Sequence, residues 1–188
     1  MKSSKVLLSA VLTIAMAAPA AAQMGQGGPG NSPAAMPESY RDVQLSALRL
    51  QRHLLIAMAD SMPERLYRDK VTPIQRDFAQ QVEHAATSVP FVINNVFHTP
   101  MPALGDTARY LNSRAGLTTM VNAAYDWAES TLRSQSAADR AQMVNLFGKQ
   151  MPAWQVWDEL HQHAFWTGGQ IVANFRKNGM APPGFGFF

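Results

Sequence analysis

The chain has 188 residues, of which 47% are hydrophobic and 15% charged, a composition that excludes a disordered protein and is large enough for one domain with a core. Its formal net charge is +3, but Lys2 and Lys5 sit at the extreme N-terminus, and the remaining basic and acidic residues nearly balance, so charge gives no case for nucleic acid as a partner. Cysteine is absent, which excludes disulfides, thiolate metal sites and a cysteine nucleophile.

The first segment reads as an export signal. Lys2 and Lys5 precede the short apolar run Val6 to Ala18, and Ala20-Ala21-Ala22 supplies small residues for cleavage before Gln23. Residues 1–22 are therefore expected to be a signal peptide, with a periplasmic or secreted destination and no permanent membrane span after cleavage. Residues 23–37 are dense in glycine and proline and read as a flexible linker. The domain is expected over 38–188.

Four helices are predicted in that domain. The first spans about Ser39 to Ser61, with Tyr40, Val43, Ala47, Leu50, Leu54 and Met58 as its apolar stripe and Pro63 as its stop. The second is expected to start at Thr72-Pro73, a cap followed by proline at the first helical position, with Gln75 at the third. Ile74, Phe78, Val82, Ala85, Val89, Val92 and Val96 continue it to about Phe97, through Pro90, which should kink it or end it early. Residues 98–112 read as a loop. The third helix spans about Ser113 to Ser134 on Leu117, Val121, Ala124 and Ala128. Residues 135–150 read as a second connection with a short helical turn at Ala137 to Val144 and no strand. The fourth helix starts near Pro152, carries Trp157, Leu160, Ala164, Gly168, Ile171 and Phe175, and stops at Asn178-Gly179. The apolar tail from Gly184 is expected to fold back or to serve a dimer contact. The fold class is all-α, and four amphipathic helices of this length are expected to form a four-helix bundle.

Imidazole is the commonest transition-metal ligand in a chain without cysteine, so the five histidines (His53, His84, His98, His161 and His163) are the candidates. His161 and His163 are two apart on one predicted helix, point to nearly opposite sides, and cannot chelate one ion together. His84 and His163 lie beside their apolar stripes, where a hydrogen-bonded boundary histidine is the plain alternative to a ligand. His53 and His98 read as surface residues, and Trp154, Trp157 and Trp166 as packing aromatics. Gly168-Gly169 lies inside a predicted helix, so it is not a phosphate loop, and it reads as permitting close helix approach.

Several segments resemble the DinB-like family: Met62-Pro63-Glu64, Thr72 to Phe78 and Gln81-Val82-Glu83-His84-Ala85-Ala86 near the second helix, then Leu146-Phe147-Gly148, Gln162-His163 through Gly169-Gln170, and Arg176 to Pro183. The resemblance implies a four-helix bundle, often a homodimer. It further implies a divalent metal, zinc or nickel, held by one histidine of the second helix and a His-x-x-x-His pair of the last. The ligands would be His84 and His163, while Thr167 stands where the third histidine would fall. A threonine hydroxyl is a much poorer ligand than imidazole, and Glu159, one turn before His163, is the alternative third position. Two functions follow as expectations. One is an exported metal-binding protein with metal-dependent hydrolase or transferase activity. The other is a metal-free bundle that binds a small-molecule ligand or a protein. No catalytic residue is assigned by the sequence.

Overall fold

The computed structural model describes residues 36–184. The expected signal peptide, nearly all of the expected linker and residues 185–188 of the tail lie outside the described residues. What is described is mostly helical: α1 (Glu38–Ser61), α2 (Phe78–Phe97), α3 (Thr107–Tyr110), α4 (Arg114–Ser134), α5 (Ala137–Ala141) and α6 (Ala153–Lys177), with a small antiparallel hairpin of β1 (Met143–Leu146) and β2 (Lys149–Pro152). No helix among the described residues is long and apolar enough to cross a membrane.

The four long helices share one core. Both α1 and α2 pack against α4 and against α6, which closes a ring in the order α1, α4, α2, α6. Side-chain pairs give the directions. Phe78 meets Phe175 and Gln81 meets Gln170, so α2 runs antiparallel to α6. Tyr40 meets Asp158 and Gln51 meets His161, so α1 runs parallel to α6. Arg49 meets Glu129 and Arg52 meets Asn122, so α1 runs antiparallel to α4. It follows that α2 and α4, although consecutive long helices, run the same way, and residues 98–113 carry the chain back between them. Trp157, Tyr125, Phe78 and Phe175 are buried in the centre, and the indole Nε1 of Trp157 donates to Gln135 at 3.0 Å.

Local chemistry accounts for the boundaries, and it corrects several expectations. The start at Thr72-Pro73 loses to a later one. Asp77 and Gln80 form a reciprocal capping box, with Asp77 Oδ1 accepting from the Gln80 amide at 2.8 Å and Gln80 Oε1 accepting from the Asp77 amide at 3.1 Å. Asp77 is itself buried and paired with Arg68, which ties the cap to the preceding loop. Residues 72–75 form only a turn, and Ile74 is 99% exposed rather than part of a stripe. Pro90 is buried within α2 and does not end it. On α1 the expected Ala47, Leu54 and Met58 are buried, joined by Leu45, Leu48, Leu55 and Ala59 and by Gln44 and Gln51, while Val43 is 55% exposed. The N-cap of that helix is Pro37, with no side-chain capping hydrogen bond.

The hairpin is the unexpected element. Phe147 and Gly148, with φ of 49° and 88°, make a two-residue turn of the left-handed kind that matches strand twist. Asn145 Oδ1 accepts from the Gly148 amide at 2.8 Å and braces it. Beyond it, α6 runs to Lys177, and its end is clasped to the α1–α2 connection. Asp69 accepts from Lys177 at 2.8 Å and from Asn178 at 2.9 Å, and its backbone carbonyl accepts from Asn174 at 3.1 Å. These bonds, led by the one from Lys177, hold the Asp69 carboxyl below its ordinary range.

Candidate functional site

The antiparallel α2–α6 seam decides which side chains face each other. The Phe78–Phe175 contact, with ring centroids 5.9 Å apart, fixes one end of it. Gln81 Nε2 donates to Gln170 Oε1 at 2.7 Å about one turn further on. Continuing in the same sense, His84 of α2 meets His163 of α6. Their Nε2 atoms are 3.2 Å apart, with ring centroids 4.9 Å apart and planes inclined at 81°. The two imidazoles singled out from the sequence therefore converge.

Their surroundings favour the neutral form. Burial lowers the pKa of both rings, the positive charge of Arg76 lowers both further, and the neighbouring His163 adds a smaller lowering effect on His84. The Ser88 hydroxyl donates to the His84 backbone carbonyl at 2.6 Å, which turns its oxygen lone pairs to His84 Nδ1 at 3.4 Å. A proton on Nδ1 can then donate weakly to Ser88 and leave the Nε2 lone pair directed at His163. For two imidazoles on one tetrahedral ion, metal–nitrogen bonds of about 2.0–2.1 Å put the nitrogens about 3.3 Å apart. The 3.2 Å approach matches that edge. It equally suits one N–H···N hydrogen bond between neutral rings.

The third position is where the site thins. Thr167, one turn beyond His163, is buried, at 1% exposure. Among the described residues no group of three His, Cys, Asp or Glu side chains is placed to hold an ion, so Glu159 does not join the two rings in such a cluster. Gln81 Oε1, on the residue one turn before His84, is buried with no hydrogen-bond partner.

The remaining candidates separate cleanly. His161 faces the other side of α6, toward α1, where its Nδ1 accepts from Gln51 Nε2 at 2.6 Å. Burial pushes its pKa down to about 4, outweighing the attraction of Asp158. His53 and His98 are exposed, and His98 caps α2 in a left-handed conformation. Trp154 and Trp157 pack as expected, Trp154 edge-on to Tyr40. Trp166 does not: it is 76% exposed, beside a shallow surface cleft that also touches Ile74 and Gln170. The buried polar residues Gln44, Gln51 and Gln81 were not marked by the sequence, because glutamine at helical spacing reads as a solvent-facing residue; only their recurrence on the apolar sides of α1 and α2 could have flagged them. Compared with protein-family models, with curated proteins and with solved structures, the chain matches none of them.

Proposed function

We propose that this is an exported four-helix bundle of the DinB-like type in which His84 and His163 hold a labile divalent metal, zinc or nickel, as two protein ligands of an incomplete set. The observation that supports the reading is the 3.2 Å approach of two neutral Nε2 atoms from different helices. Two imidazoles without a third good donor bind weakly and leave positions open for water or substrate. When bound, the metal would supply Lewis-acid activation suited to a hydrolase or transferase. The protein's own part is to orient His84 through Ser88 and to favour an anionic co-ligand through Arg76. A metal-free interaction module is the second reading, favoured by the fact that the two rings also satisfy each other as a hydrogen-bonded pair.

The test is a zinc and nickel titration of full-length protein purified without an affinity tag, using a chromophoric chelator as competitor. One ion per chain is expected, lost in His84→Ala and in His163→Ala, with Ser88→Ala weakening it about tenfold. Absence of stoichiometric binding, or binding unchanged in both histidine variants, overturns the metal reading in favour of the second.

A further inference from the structure

On its other side, α6 encloses a second site. The α1–α6 seam is polar at one end, where Tyr40 and Gln44 donate to Asp158 and Gln51 donates to His161. Past Gln51 the polar groups stop. Leu54, Leu55 and Met58 of α1 and Ala164, Gly168 and Val172 of α6 line a cavity of about 150 Å³, with Phe165 at its rim. Gln51 reaches its edge, but both ends of that amide are engaged, Nε2 on His161 and Oε1 accepting from Tyr125 at 3.3 Å.

The glycines of this wall need explaining. Each glycine inside a helix is about 1 kcal/mol less favourable than alanine. Close approach of a neighbouring element is the reason expected from the sequence, and it fails: a Cβ on Gly168 or on Gly169 would meet nothing within 4 Å. Packing does not require them. What they leave is open space beside the cavity, and two exposed peptide faces in its wall.

We propose that this cavity binds a small neutral aromatic molecule, of benzene to indole size, and that Gly168 and Gly169 keep it open. The volume is that of a dry apolar cavity able to hold benzene, at about 150 Å³. Peptide planes without side chains accept a flat ring, the Met58 thioether makes favourable contacts with aromatics, and Phe165 supplies a ring at the entrance. Among the described residues the wall offers no uncommitted polar side chain, which selects against charged ligands.

Full-length protein titrated with benzene and with indole tests this, by calorimetry and by thermal unfolding. Saturable one-to-one binding and a ligand-dependent rise in Tm are expected. Gly168→Leu should fill the space, weaken binding by more than about tenfold and raise the ligand-free Tm. Val172→Phe fills it from another position in the wall and should weaken binding likewise, so the outcome does not depend on one variant folding. His163→Ala should leave aromatic binding unchanged, which separates this site from the histidine pair. No saturable binding, or full binding in both filled variants, overturns the proposal. So does a chain ending at Gly184 that binds where the full chain does not, because residues 185–188 would then be the occupant.

Discussion

His161 and His163 stand two residues apart on α6 and meet opposite neighbours. His161 turns to α1, where a glutamine amide donates to its lone pair in a chain of hydrogen bonds that continues to Tyr125. His163 turns to α2 and meets a second imidazole. Burial disfavours the charged form of both rings. The Gln51 Nε2 group, however, can only donate and its carbonyl oxygen is already held by Tyr125, so the amide locks His161 into one tautomer with its accepting nitrogen occupied. Two facing imidazoles compete for one proton or one cation, which leaves the second pair chemically open. The opposing helix, rather than the histidine, decides which ring is structural and which is available.

The sharpest way to break this contrast is Gln51→Ala. It strips donors or acceptors from two buried partners and leaves a cavity, so a loss of about 3 kcal/mol in denaturant unfolding is expected. His163→Ala should cost about 1 kcal/mol, since His84 lines a surface cleft with Ser88 and Phe91 and can hydrate there. Equal costs would mean that the two seams do not differ as described.

Acid should then find the α1 side. Because the folded-state pKa of His161 is depressed from 6.5 to about 4, the unfolded chain binds its proton first. Its contribution is fully present above pH 6.5 and is lost as the pH falls toward 4. The full effect is about 3 kcal/mol at about 1.4 kcal/mol per pH unit. His84 and His163, also lowered, add losses of the same sign. Stability measured from pH 7.5 down to 4 should fall, and His161→Phe should flatten that limb more than His163→Phe does.

The α2 side is sharpened by repair. Thr167→His places a third imidazole one turn from His163 and should tighten zinc binding by about a hundredfold, about 2.7 kcal/mol, in the same chelator competition. An unchanged affinity would mean that position 167 does not address the pair. The smallest effect lies far from both seams. Phe147 is 75% exposed and holds a positive φ at the hairpin turn, so Phe147→Asn should stabilise by about 0.5–1 kcal/mol, read as a rise in Tm.

The sequence was legible where one local signal had no rival. The α4 helix begins next to Ser113 and Asn178-Gly179 closes α6 as read from the chain. The geometry of His161 and His163 also followed from helical pitch alone. The start of α2 was misread because two capping sequences stand five residues apart, and burial of Asp77 and Phe78 chose the later one. The α1 stripe was read only in part, because Gln44 and Gln51 are buried against polar groups about 110 residues away, information that no local pattern holds. The hairpin escaped because its strands have four residues each and mix Asn, Lys and Gln among the apolar positions. Of the site, the meeting of His84 and His163 was anticipated through a resemblance, whereas the low basicity of His161 depends on a partner the sequence does not point to.

The place of α6 in the ring has a consequence in time. It walls both the α1 side and the α2 side, yet it lies about 110 residues beyond its contacts on α1. Until it emerges during synthesis, the other three long helices have an open flank and no complete interior, so cooperative closure must await α6.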